Sequence, residues 1–196
     1  MIDQRAPLPT GLRHERFVAV PLTSATAALD YSAYVASPDV IRTHSDGRWP
    51  VEGFTLADDL ELVAVHEDEH RRRRAFTFVL LTPSETEALG CLYLNPLRDY
   101  LVRTGAPRQV IDGTPRDSAM VTFWLRQDHR TTGLADDVVE AVDAWLRDEW
   151  PLERALFRVL PAERGSRSAL ERLGLGRVEL ELPGEPRPYL WFEARL

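Results

Sequence analysis

The sequence predicts an α/β domain of the α+β kind, and three observations carry that prediction. Short apolar runs bounded by turn residues recur at 17–22, 75–81, 88–94, 119–125, 155–160 and 188–196, which is the length and punctuation of strands. Longer stretches at 55–72 and 134–150 place their apolar residues at helical period instead. No Pro/Gly/Ser-rich linker and no internal repeat divides the 196 residues, so residues 16–196 read as one domain behind a polar, Pro-bearing arm at 1–15 that lies over the surface.

The elements follow in order. After the strand at 17–22, Thr23 or Ser24 can cap a helix that ends near Ser37-Pro38, because the residue before a proline is driven out of helical geometry. Asp46-Gly47 and Trp49-Pro50 mark 44–53 as a loop. Thr55-Leu56-Ala57-Asp58 has capping-box spacing and opens a second helix that runs to about Arg72. The runs at 75–81 and 88–94 are joined by a hairpin connection and are expected as antiparallel neighbours, with Cys91, Tyr93 and Asn95 on one face. Residues 97–117, interrupted by Gly105, Pro107, Gly113 and Pro115, read as an irregular connection with the length of a lid. In the helix at 134–150, Leu134, Val138, Val142, Trp145 and Leu146 form the buried stripe, and Asp136, Asp137, Glu140, Asp143 and Arg147 are expected toward solvent. A strand at 155–160, a helix at 164–173 stopped by Gly174, and a hairpin of 177–182 with 188–196 close the chain.

Charge and composition narrow the function. The chain carries 24 basic and 31 acidic residues, net −7, and every basic residue is Arg. That balance argues against a nucleic-acid or membrane-surface partner. A single Cys excludes an internal disulfide, no apolar run approaches the length of a membrane span, and the N-terminus shows no hydrophobic signal core, so a cytoplasmic location is expected. His66-Glu67-Asp68-Glu69-His70 is a literal H-E-x-x-H, the spacing of a zinc hydrolase helix. Both x positions are acidic, Arg71 to Arg74 follow at once, and no third ligand stands at a recognisable spacing; the expectation is a solvated helix end that holds no metal.

The richest stretch is Arg130-Thr131-Thr132-Gly133-Leu134-Ala135, between a strand and an amphipathic helix. A helix start presents free N–H groups and a partial positive charge; Gly133 lets an anion approach the backbone, small Ala135 leaves it open, and Arg130 adds a cation. A pyrophosphate suits that site. The spacing Arg-x-x-Gly-x-Ala resembles the acyl-CoA signature of the GNAT N-acyltransferase superfamily. Two further pieces stand in the matching order. Phe123-Trp124-Leu125 occupies the place of the family's splayed strand, whose backbone meets the pantetheine and the acetyl carbonyl, and Pro161-Ala162-Glu163-Arg164-Gly165-Ser166 with Leu173-Gly174-Leu175 is similar to its second cofactor helix. Glu163 replaces the usual Asn, Leu175 the usual Phe, and Leu170 the Tyr that protonates the departing thiolate in many members. Pieces of 30–97 resemble actinobacterial members.

The resemblance implies a central, mostly antiparallel sheet with helices on both faces, and acetyl-CoA as co-substrate held by Phe123, Trp124, Leu125, Arg130, Thr131, Thr132, Gly133, Leu134, Ala135 and Ser166. It implies an N-acetyltransferase in which a primary amine, on a small molecule or a peptide, attacks the thioester directly. With the usual Tyr gone, Ser166 is the candidate to assist the thiolate, against an ordinary capping role, and Tyr93 is a second candidate catalytic residue. A CoA-binding module without turnover is the alternative. A zinc hydrolase at His66 and His70 is a third reading. Net charge favours a cationic acceptor at long range, and the apolar run 189–196 could pair across a homodimer.

Overall fold

A computed structural model describes residues 6–45, 47–49, 51–185 and 187–196. The first five residues of the expected arm, Asp46 and Pro50 of the expected loop, and Pro186 of the closing turn lie outside the described residues. The described chain forms β1 (Leu12–Arg13), β2 (Val18–Pro21), α1 (Ala27–Val35), α2 (Pro38–His44), α3 (Leu56–Arg71), β3 (Phe76–Leu81), β4 (Ala88–Pro96), α4 (Leu97–Arg103), α5 (Arg108–Gly113), β5 (Ser118–Leu125), α6 (Leu134–Glu149), β6 (Arg154–Val159), α7 (Arg164–Leu173), β7 (Gly176–Val178) and β8 (Leu190–Glu193). A single sheet runs in the order β1-β2-β3-β4-β5-β6-β8-β7. Every pairing is antiparallel except β5 with β6, which is parallel.

Alternation along the strands separates two faces. Phe76, Phe78, Leu92, Leu94, Val121, Phe123, Ala155 and Phe157 turn to the side covered by α6 and α7, where Val138, Val142, Trp145 and Leu170 complete the largest core cluster. Val79, Cys91 and Trp124 turn the other way, under Ala27 and Ala33 of α1, Val40 and Ile41 of α2, and Val63 of α3. Farther along that second face, Leu97, Tyr100 and Leu101 of α4 pack on Met120, Leu156 and Trp191. The expected helices on both faces are present.

Local chemistry explains where the elements begin. Thr55 accepts from the Asp58 N–H, and the Asp58 carboxylate accepts from the Thr55 N–H at 2.8 Å, so the capping box forms as its spacing predicts. Gly174 ends α7 in left-handed geometry, φ +76°. The helix expected after Thr23 ends close to where Ser37-Pro38 stops it, at Val35, although its N-cap is Thr26; Pro38 then opens a further helix, α2, that was not expected, at its first position, where its missing N–H has no partner to lose.

Four expectations are corrected. The arm is not merely laid over the surface, because Leu12 and Arg13 pair with Ala19 and Val18 as an edge strand. Residues 97–117 are not irregular; they carry α4 and α5, whose buried Leu97, Tyr100 and Leu101 anchor them to the sheet. Asp143 does not face solvent. It is fully buried and accepts from the backbone N and Nε of Arg195 at 2.9 and 2.8 Å, so the C-terminal segment folds back over α6 and supplies its partner. The run 189–196 is not a free edge for dimer pairing either, since β8 sits between β6 and β7.

Candidate functional site

The site begins where two parallel strands part. β5 and β6 pair from Ser118↔Arg154 to Val121↔Phe157, after which β5 continues to Leu125 with no strand on that side. β4 still pairs with this tip: Arg126 N donates to Leu89 O at 2.8 Å, and the Trp124 carbonyl lies against Gly90. Backbone groups alternate along a strand, so Phe123 and Leu125 direct their N–H and C=O to the vacated edge. Their side chains are buried in the α6–α7 core, which leaves the backbone as the functional part. Gly90 allows this arrangement: a Cβ there would stand 2.0 Å from Trp124 O, at φ +149°.

The turn for which a phosphate was expected follows the β5 tip. A 3₁₀ turn (Gln127–His129) leads through Arg130 to Gly133, the N-cap of α6, which has φ +78° and gives no side-chain cap. A Cβ at Gly133 would meet only Arg16 Nη1, at 3.8 Å. The backbone, not space, therefore demands glycine. Leu134 buries its side chain in the core and offers only its N–H, while Arg130 and Ala135 line a cavity of about 290 Å3 beneath the turn. Thr131 and Thr132 are exposed on the turn, with Thr132 Oγ1 donating to His129 O at 2.9 Å.

Two carboxylates in the first turn of α6 would oppose an anion there, and each is tied to an arginine from elsewhere. Asp136 pairs with Arg172 of α7 and Asp137 with Arg16, whose Nη2 also donates to Thr132 O at 3.1 Å. The helix start thus keeps its positive end. Arg16 was not legible in the sequence as part of this turn, because it precedes β2 and reaches the turn only in the folded chain.

The same cavity takes its far wall from α7. Ser166 lines it, three residues inside the helix; the N-cap is Glu163, so Ser166 is not the capping residue. Its hydroxyl has no partner among the described residues. Glu163 is committed twice: Oε2 accepts from Leu160 N at 2.7 Å, and Oε1 lies 2.9 Å from His44 Nδ1. This pair ties α2 to α7 across the parted strands, and an Asn at 163 could not supply its charge. Leu170 is buried in the core, so no phenol stands in for the one the family often carries.

Trp124 separates this cavity from a second of about 250 Å3, under α1, α2 and α3. Tyr93 lines the second cavity, and its Oη accepts from Trp124 Nε1 at 3.1 Å. Burial pushes the Tyr93 phenol well above its usual range, so it stays protonated. His44 and His66 lie on either side of Tyr93, each with its ring centre 6.1 Å from the phenol ring. His66 Nδ1 lies 3.2 Å from Thr77 Oγ1, and desolvation lowers its pKa against the pull of Glu69, which keeps the imidazole neutral near pH 7.

Below them, Cys91 Sγ–H donates to Asp30 Oδ1 at 2.9 Å, and burial raises Asp30 to about 6. Asp59 is raised to about 7 by burial and by Asp30 beside it. Cys91 lies on the Tyr93 face as the alternation predicts; its carboxylate partner comes from α1, sixty-one residues earlier, and no spacing rule announces it.

His66 and His70 turn to different partners. His70 packs edge-on against Phe76 and Phe78, with ring centres at 5.0 and 5.4 Å, while His66 faces Tyr93. Both are therefore held against the sheet rather than on the expected solvated helix end. Among the described residues no group of three or more His, Cys, Asp or Glu is arranged to hold a metal ion. Among the described residues no helix is long and apolar enough to cross a membrane.

Comparison with known proteins agrees with this geometry. The acetyltransferase (GNAT) domain family matches residues 16–176. Among solved structures, the fold is shared with a ribosomal-protein-S5-alanine acetyltransferase from Vibrio fischeri (16% identity over 94% of this chain and 96% of that one, TM-score 0.67). It is shared also with Mycobacterium smegmatis RimJ in complex with CoA-disulfide (18% identity, 93% and 84%, TM-score 0.64). A third is the microcin C7 self-immunity acetyltransferase MccE in complex with acetyl-CoA and AMP (12%, 94% and 96%, TM-score 0.67). No curated protein sequence matches the chain significantly.

Proposed function

The chain belongs to the acetyltransferase (GNAT) family, and on that premise we propose that it transfers an acetyl group from acetyl-CoA to a primary amine by direct attack, with residues 16–196 acting as one cytoplasmic domain. The observation that carries the reading is the left-handed Gly133 N-cap standing beside a β5 tip whose outer edge is unpaired. A pyrophosphate fits the first, and a thioester with its pantetheine amides fits the second. Arg130, the α6 backbone from Gly133 to Ala135, and Arg16 would hold the phosphates. Phe123 and Leu125 would hold the thioester arm through their backbones, with Trp124 as the partition between acyl and acceptor cavities. Acetyl-CoA supplies an activated carbonyl, and the chain's own part is to orient it, exclude water and manage protons.

The proton roles follow from the site. Ser166, uncommitted and on the wall of the cofactor cavity, donates a hydrogen bond to the departing sulfur. Tyr93, kept protonated and hydrogen-bonded to Cys91, serves the acceptor side as a donor by turning its O–H from that sulfur, and not as a base. The amine must lose a proton: at pH 7 that costs about 4.6 kcal/mol for an alkylamine of pKa about 10.4 and about 1.4 for an α-amine near 8. Neutral His66, facing the same cavity, receives that proton through water. Structural neighbours that act on ribosomal-protein amino groups support an α-amine as readily as a small-molecule one. The likeness of 30–97 to actinobacterial members rests on sequence pieces alone.

Calorimetric titration with acetyl-CoA, followed by thiol release on adding amines, tests the reading. Binding with turnover is expected. Binding without turnover across a broad amine panel would establish the non-catalytic CoA module instead, and failure to bind acetyl-CoA would end both.

A further inference from the structure

This is an acidic protein, and many of its arginines find carboxylates: Arg16 with Asp137, Arg126 with Glu87 and Asp128, Arg154 with Glu193, Arg172 with Asp136, Arg195 with Asp143. Four that form no ion pair with a carboxylate among the described residues, Arg48, Arg74, Arg103 and Arg158, line one cavity of about 880 Å3, and of these Arg158 feels the charge of the nearby Glu185. That cavity lies on the Tyr93 face of the sheet. Asn95 of β4, two residues beyond Tyr93, and Met120 of β5 form part of its floor, so it borders the place where β5 and β6 part. Its lining carboxylates are only Glu69, 3.6 Å from His66, and Asp99.

Arg158 has the fullest set of contacts of the four. Its guanidinium carbon stands 5.0 Å from the Tyr100 ring centre and 4.1 Å from that of Tyr189, between two aromatic faces. Nη1 donates to Tyr100 Oη at 2.8 Å, and Nε is buried with no hydrogen-bond partner. The neighbouring Glu185 carboxylate is taken by Tyr100, whose Oη donates to it at 2.7 Å. A buried guanidinium N–H left unpaired is costly and calls for an acceptor. An oxyanion, which a guanidinium can bind through two parallel N–H groups, is the chemistry that satisfies it.

We propose that this cavity takes an anionic group of the acceptor itself, so that the amine acetylated here carries a carboxylate or phosphate beside its nitrogen. The proposal rests on the acyl-transfer reading and reverses the expectation from net charge. Local guanidinium groups at a few ångströms outweigh a diffuse −7 screened beyond roughly 10 Å.

The probes are Ala-Glu-Glu and O-phosphoethanolamine, with Ala-Gln-Gln and ethanolamine as their neutral counterparts and Ala-Arg-Arg as the reversed charge. Each is titrated by calorimetry into the protein saturated with CoA, and turnover with acetyl-CoA is read separately. At least one anionic probe should bind about tenfold or more tightly than its neutral counterpart, a margin set by one charge-assisted hydrogen bond; which of the two does so distinguishes a carboxylate from a phosphate. Arg158→Gln should remove the margin, as should Arg74→Gln with Arg103→Gln, whose exposed side chains threaten folding less, while the acetyl-CoA Kd stays as in the parent. Equal affinity for charged and neutral probes, tightest binding of Ala-Arg-Arg, or no binding of either anionic probe overturns the proposal. Loss of CoA binding by the parent protein would instead refute the acyl-transfer reading, so the two failures are distinct.

Discussion

The two sides of the parted strands are built from different material. On the proposed cofactor side the groups offered are backbone: the N–H groups at the start of α6 and the free edge of β5, admitted by glycines and flanked by small residues. On the acceptor side they are side chains gathered from distant elements, among them Asp30 of α1, His44 of α2, His66 of α3, Tyr93 of β4 and Arg158 of β6. A backbone site needs a particular conformation and tolerates many sequences around it. A side-chain site needs particular residues and costs stability, because buried carboxylates and unpaired guanidinium groups are kept where water would serve them better.

Gly90 gives the most severe test of this contrast. If the cofactor side depends on backbone approach, Gly90→Ala must push β4 from β5, since its methyl would meet Trp124 O and the Leu125 Cα. A loss of about 3 kcal/mol in urea unfolding is expected. Unchanged stability would mean that the strands have room to separate.

Gly133→Val comes next. It leaves the fold intact but places a β-branched residue in left-handed geometry, so acetyl-CoA binding should weaken about 100-fold by calorimetry, or about 2.7 kcal/mol. Arg130→Ala should cost only about tenfold, because an exposed cation adds to a site the backbone already makes.

On the acceptor side, Asp30→Asn should stabilise. The folded carboxyl titrates at about 6 against 3.8 for the free group, so the folded state holds its proton more tightly than the unfolded chain. The contribution of Asp30 to stability is therefore greatest below about pH 4, falls as the pH rises from there to about 6, and stays low above. A rise of that size sets a ceiling of about 3 kcal/mol, and Asp30→Asn should recover about 2 kcal/mol at pH 8 while changing little at pH 4. Thermal melts at the two pH values check it; equal effects at both would show that Asp30 is not buried as a charge.

The smallest effects lie at the boundary between the sides. Ser166→Ala should lower kcat about tenfold without changing the acetyl-CoA Kd, whereas Tyr93→Phe should change turnover by an amount that depends on the amine. An unchanged maximal rate in Ser166→Ala would leave solvent as the proton donor.

What was legible in the sequence follows the same division. Local signals, each complete within a few residues, marked the elements: the Thr55–Asp58 box, the Gly174 stop, the alternation of Cys91, Tyr93 and Asn95, and the strand–turn–helix around Gly133. Where a neighbour far along the chain supplied the partner, local reading missed. Pro38 read as a stop and not as a start, 97–117 read as irregular although its apolar residues meet β5 and β8, and Asp143 read as solvated until Arg195 folded over it.

The strand–turn–helix of the proposed cofactor turn could be read from the chain alone, because glycine, helix start and preceding strand are consecutive and their chemistry belongs to the backbone. The acceptor side emerged only on folding. The pairing of His44 with Glu163, the burial of Asp30 under Cys91 and the meeting of four arginines in one cavity each join residues that are distant along the chain. Contacts of that kind arise from how the sheet orders its strands and which face each residue takes, and no short-range pattern encodes them.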